Sequence, residues 1–118
     1  MERIFAIGDI HGCFDKLLQL MDRSEIDFRR DRVIFLGDYI DRGPRSKDVV
    51  DYLIGLQAKT DRVVFLKGNH EEMLERYLEG TDLMMFLDNG GEATLKSYGE
   101  AANKAETGLI PARHLAFF

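Results

Sequence analysis

Seven residues in three short clusters could do chemistry together. Asp9 and His11 lie in Gly8-Asp9-Ile10-His11-Gly12, Asp38, Asp41 and Arg42 in Gly37-Asp38-Tyr39-Ile40-Asp41-Arg42-Gly43, and Asn69 and His70 in Gly68-Asn69-His70-Glu71. Asp9, His11, Asp38 and Asn69 offer oxygen and nitrogen donors of the kind that hold Mn²⁺, Fe²⁺ or Zn²⁺. The flanking glycines let the backbone turn sharply and let a phosphate approach closely. Each residue alone has a plainer reading. An aspartate after a strand commonly caps the next helix. A lone histidine sits satisfied in a turn, and a lone arginine makes a surface ion pair worth little. Convergence of the clusters separates the two readings, and the elements that carry them decide it.

Each cluster follows a short apolar run that stops at a glycine. The runs are RIFAI (3–7), DRVIFL (31–36) and DRVVFL (61–66), and they predict buried strands. Between them, FDKLLQLM (14–21) places Phe14, Leu17, Leu18 and Met21 on one helical face. Ser46 reads as an N-cap with Asp48 in the first turn, followed by a stripe of Val49, Val50, Leu53, Ile54 and Leu56. Residues 71–78 predict a third helix. Further on, 83–87 predicts a helical turn, Asn89-Gly90-Gly91 a turn, 92–98 a short helix and 99–108 a polar loop. The chain ends on Leu115-Ala116-Phe117-Phe118, which is apolar for a terminus. A β-α-β-α-β-α order implies parallel strands joined by right-handed crossovers, covered on both faces. Ligands of such a sheet bind in the crevice beyond the carboxyl ends of its strands. All three clusters open on that edge, which independent capping does not explain.

The bulk numbers narrow the classes. A chain of 118 residues suits a single domain over 1–118. A net charge of −5 speaks against a nucleic-acid partner held through its phosphates. One cysteine, Cys13, excludes an internal disulfide and fits a reducing cytoplasm. Cys13 reads as a small packing residue, not a nucleophile. No apolar run approaches the ~20 residues of a membrane span, and no long apolar stretch near the start suggests a signal peptide.

GDIHG, GDYIDRG and GNHE closely resemble the three N-terminal signatures of the phosphoprotein-phosphatase branch of the calcineurin-like metallophosphoesterases. Gaps of 24 residues separate the first motif from the second and the second from the third, close to the family's spacing. NGGEATLKSYG (89–99) resembles the bacterial subgroup, which includes small serine/threonine phosphatases and diadenosine-tetraphosphate hydrolases. The resemblance implies two divalent ions, of manganese, iron or zinc, with manganese favoured. It assigns Asp9 and His11 to the first metal, Asp38 to a bridge between both, and Asn69 to the second. A hydroxide between the metals would attack phosphorus in line. His70 would protonate the leaving oxygen, Asp41 would orient His70 and favour its charged form, and Arg42 would grip two phosphate oxygens. Arg42, Asn69 and His70 would together bind the substrate phosphate. Glu71 and Glu72 read as dipole-complementing or surface residues of the next helix.

The resemblance also calls for two later histidines and a second arginine, which this chain does not supply. His114 lies before the apolar terminus and is not read as a ligand. The expected fold is therefore the N-terminal half of a four-layer α/β/β/α sandwich. Such a half leaves an unpaired sheet edge and an uncovered apolar face, and so predicts self-association. The leading reading is a serine/threonine phosphatase acting on a phosphoprotein or a phosphorylated small molecule. A dinucleoside-polyphosphate hydrolase and an inactive metal-binding fragment stand as alternatives.

Overall fold

The computed structural model describes residues 2–99 and 110–118. Strands β1 (Ile4–Ile7), β2 (Arg32–Phe35) and β3 (Val63–Phe65) form one parallel sheet in the order β1-β2-β3. Helix α1 (Phe14–Arg23) links the first two strands and α2 (Ser46–Lys59) the last two. Next come α3 (Asn69–Leu78), a four-residue α4 (Leu83–Phe86), a wide turn (Leu87–Gly91), α5 (Glu92–Ser97) and α6 (Ala112–Phe117). The expected β-α-β-α-β-α order is thus observed. The polar loop expected over 99–108 lies, from residue 100 onward, outside the described residues.

Register puts Phe5, Val33 and Val63 in one row across the sheet and Ile7, Phe35 and Phe65 in the next row of the same face. Val33, Phe35 and Ile7 are buried in a single cluster with Leu17 of α1 and Val49, Val50, Leu53 and Leu56 of α2. Each such side chain contributes on the order of 2 kcal/mol by leaving water. The apolar terminus belongs to this core, because the Phe117 ring lies 5.1 Å from Phe65 and 5.4 Å from Tyr39. Leu18 does not join the buried face of α1, being 39% exposed, so that face is narrower than the apolar pattern suggests.

The opposite face of the sheet is open, so the expectation of cover on both sides fails among the described residues. Ile4 is 68% exposed, and Leu36, Val64 and Leu66 are each 46% exposed. Strand alternation puts these residues on one side, with Ala6 and Ile34 between them. The described residues therefore build helices over one sheet face and leave the other apolar and bare. No described helix is long and apolar enough to cross a membrane.

Candidate active site

The carboxyl ends of the three strands meet, and backbone bonds knit the loops that follow them. The amides of Ile10 and His11 donate to the Asp38 carbonyl at 3.1 and 3.0 Å, and Gly12 donates to Tyr39 at 2.9 Å. Gly43 donates to the His11 carbonyl at 2.9 Å. Two glycines are required by close approach. A Cβ on Gly43 would strike the His11 carbonyl, and one on Gly68 would fall on the Asp38 carboxylate. Strain is concentrated here. Four of the six described non-glycine residues with left-handed φ are His11 (45°), Asp38 (56°), Asp41 (76°) and Arg42 (72°). Such conformations cost about 1 kcal/mol each and persist where surrounding bonds over-determine them.

Donor atoms of Asp9, His11 and Asp38 all lie within 4.8 Å of one another. His11 Nδ1 contacts the Ile40 carbonyl at 2.8 Å, so it carries the proton in the neutral ring. That leaves the Nε2 lone pair pointing into the group, 3.7 Å from Asp9 Oδ2. A histidine fixed this way is prepared to ligate, as metal-bound imidazoles are. Two carboxylates and one free imidazole nitrogen thus fit a divalent cation by donor chemistry. Asn69 is exposed at the start of α3 and has no protein partner for its side chain among the described residues. Its amide oxygen is free to serve as a further donor.

His70 is buried beside this group, its ring centroid 4.6 Å from that of His11 in an edge-on arrangement. Its Nδ1 lies 2.7 Å from Asp41 Oδ2, and Asp41 is fully buried. Burial pushes the Asp41 carboxyl up to about 6, while bonds from Thr94 and His70 act the other way. Arg42 is exposed and anchored by its backbone, whose N–H donates to the Gly90 carbonyl at 2.9 Å. Its guanidinium has no ion-pair partner among the described residues. It lines a cleft of 470 Å³ with Asn69, His70, Met73, Arg76 and Met85. A second cleft, of 380 Å³, opens on the Asp9 and His11 side and includes Lys16. All seven sequence-derived residues therefore gather at one sheet edge. Asp38 does not cap α2, the helix that follows it; its Oδ1 instead accepts the His70 N–H at 2.9 Å, at the start of α3.

Two corrections arise at this edge. Glu71 is not a surface residue: it is 1% exposed and its carboxylate accepts three backbone N–H bonds. The donors are Asp38 at 2.6 Å, Tyr39 at 3.0 Å and Gly68 at 2.9 Å. Burial pushes the Glu71 carboxyl up, and these three bonds oppose the shift. One signal was available in the sequence, because a glutamate three residues past a helix cap commonly reaches back to the cap amide. Glu72 does remain exposed, as expected. Ser46, the second correction, does not cap α2. Its buried hydroxyl accepts the Asp41 N–H at 3.2 Å and meets Thr94 Oγ1 at 3.1 Å. Thr94 itself carried no sequence signal. His114 stands apart from the cluster, held in α6 with Nε2 2.6 Å from Asp51 and Nδ1 2.6 Å from the Tyr98 hydroxyl. Cys13 is a partly buried free thiol.

The strand ends of this parallel α/β sheet gather two carboxylates and a free imidazole, donors that could hold a metal ion, beside an Asp–His pair. The chain matches the calcineurin-like phosphoesterase family over residues 2–109 and belongs to it. It is 32% identical to a Bis(5'-nucleosyl)-tetraphosphatase PrpE [asymmetrical] of Anoxybacillus flavithermus, covering 86% of this chain and 43% of that protein. It is 30% identical to Serine/threonine-protein phosphatase 1 of Salmonella typhimurium, covering 95% of this chain and 50% of that one. The chain thus spans half or less of the length of these curated relatives. Its fold matches that of a cold-active protein tyrosine phosphatase with a TM-score of 0.63 at 22% identity, over 97% of this chain and 36% of the other.

Proposed function

We propose that this chain carries the metal-holding and proton-donating part of a phosphoester hydrolase site. The supporting observation is the 4.6 Å approach of the His11 and His70 rings, which joins a three-donor cluster to an Asp–His pair. Asp9, His11 and Asp38 would hold one cation, and Asp38 with Asn69 a second. Manganese is the favoured ion, because oxygen donors outnumber nitrogen in this set. When bound, divalent cations neutralise phosphate oxygens and lower the pKa of water. His70 keeps Nδ1–H on Asp41 and presents Nε2 for the substrate. In its charged form it gives the Nε2 proton to the departing oxygen as a water oxygen bonds to phosphorus, the ester P–O bond breaks and its electron pair moves to the departing oxygen. Asp41 holds the ring in place through its Oδ2. Arg42 grips two phosphate oxygens with its planar fork. A reducing cytoplasm suits the single free Cys13.

A phosphorylated serine or threonine is the first substrate reading. A dinucleoside polyphosphate is the second, favoured by the tetraphosphatase relatives and by Arg76 in the same cleft as Arg42. Parallel assays of the Mn²⁺-loaded chain on a phosphoserine peptide and on diadenosine tetraphosphate separate them. His70→Asn is expected to slow turnover about 100-fold, within the usual contribution of a general acid. Mn²⁺ affinity measured by calorimetry should stay unchanged in this variant, and its loss would refute the acid assignment. One ion per chain without turnover of any ester would favour the inactive metal-binding fragment.

The open sheet face supports a second proposal, that the chain taken alone pairs with a copy of itself. Exposed Ile4, Leu36, Val64 and Leu66 would be shielded by such pairing. Sedimentation velocity on a concentration series should show a dimer, dissociating on Val64→Lys. A sharp monomer boundary at the highest concentration would count against it.

A further inference from the structure

We propose that Thr94 is a positioning residue for the His70–Asp41 pair, clamping the Asp41 carboxylate so that its other oxygen meets the imidazole. The proposal deepens the general-acid reading of His70 and rests on it for its functional meaning. Thr94 Oγ1 donates to Asp41 Oδ1 at 2.7 Å, while Asp41 Oδ2 takes His70 Nδ1 at 2.7 Å. The Asp41 N–H in turn donates to Thr94 Oγ1 at 2.7 Å and to Ser46 Oγ at 3.2 Å. Thr94, Asp41 and Ser46 have no solvent-exposed surface, so water cannot replace any of these bonds.

The proton count leaves one arrangement. A hydroxyl has one donor and two acceptor sites. Thr94 spends its only proton on Asp41 Oδ1 and accepts the Asp41 N–H. Its second lone pair takes the Ser46 hydroxyl proton across 3.1 Å. Thr94 therefore grips Asp41 through both backbone and side chain. The backbone grip matters because Asp41 sits at φ 76°, a conformation a non-glycine residue holds only under constraint.

The element that brings Thr94 here is docked at further points. The Arg42 N–H donates to the Gly90 carbonyl at 2.9 Å, and the Lys47 N–H donates to Ser97 Oγ at 3.2 Å. A Cβ on Gly91 would meet the Phe86 ring, so the turn preceding α5 packs closely against α4. The segment 87–97 thus reads as a brace laid over the loop that carries Asp41 and Arg42. Its inner contact is Thr94.

Nitrogen-15 NMR of the imidazoles in the 118-residue chain tests this, with only His11, His70 and His114 to assign. The Nδ1–H of His70 should be protected from solvent exchange in the wild type and in Thr94→Ser. In Thr94→Val its exchange should accelerate about tenfold, the worth of one hydrogen bond. His114, buried between Tyr98 and Asp51, serves as the internal control for an intact fold. Unchanged His70 exchange in Thr94→Val beside an unchanged His114 would overturn the proposal. Should Thr94→Val lose the His114 signal, Thr94→Cys carries the test, because a thiol is a weak donor of similar size. Faster His70 exchange in Thr94→Cys than in Thr94→Ser supports the clamp, and equal rates sink it. The readout lies on the ring and needs no turnover. A chain with the expected exchange pattern but no acid role for His70 would sink the general-acid reading alone.

Discussion

Replacing Asp38 with asparagine is expected to weaken Mn²⁺ binding by about a thousandfold. The variant is nearly isosteric, and its amide oxygen can still accept the His70 N–H that Asp38 Oδ1 accepts at 2.9 Å. The start of α3 should therefore keep its bond and the fold should persist. What disappears is a unit of negative charge within 4.8 Å of the donors of Asp9 and His11. At an effective dielectric of about 20, one such charge beside a cation is worth on the order of 4 kcal/mol, close to three decades in affinity. The amide also turns an NH₂ donor toward the cation where a carboxylate oxygen stood. Calorimetric titration with Mn²⁺, with thermal melting as the fold control, reads the effect. Affinity within threefold of wild type would remove Asp38 from the ligand set.

Glu71→Ala is expected to cost about 3 kcal/mol of stability, since three backbone N–H groups lose their acceptor at once. Those donors belong to Gly68, Asp38 and Tyr39, so one carboxylate ties the end of β3 to the end of β2. Glu71→Gln should cost less, because its amide oxygen can still accept from Asp38 and Gly68 and only the Tyr39 N–H would face the NH₂. Loosening Asp38 should also weaken Mn²⁺ binding by about 10- to 100-fold, the usual cost of losing a group that orients a ligand. Exposed Glu72→Ala supplies the comparison and should stay within about 0.5 kcal/mol of wild type. Urea midpoints of the three variants decide the matter. Equal midpoints for Glu71→Ala and Glu72→Ala would show that the three bonds carry no net stability.

The two carboxylates show where a linear reading ends. Asp38 stood out because its charge follows an apolar strand and a glycine, a conflict visible within seven residues. Glu71 lies in an acidic helix start, where local logic already accounts for it through the helix dipole. Only its burial against residues 32 and 33 positions earlier reveals the clamp. Ser46 misled for the same reason. It is a good cap former at a helix start, but its hydroxyl found better partners in Asp41 and Thr94. Leu18 followed the helical period yet stayed in solvent, because α1 buries a narrower stripe than its apolar residues could fill.

Strand positions, parallel order and the seven clustered residues followed from the sequence alone, because apolar periodicity and glycine stops act over a few neighbours. Their gathering at one edge also followed, since parallel strands send every carboxyl end the same way. Tertiary structure alone decided the rest. It turned His11 so that Nε2 is free, set Asp41 between Thr94 and His70, and buried Glu71 beneath the strand ends. Among the described residues it also left one sheet face bare. These outcomes depend on which polar atoms find partners once water is excluded, and those partners lie up to 53 residues apart in the chain.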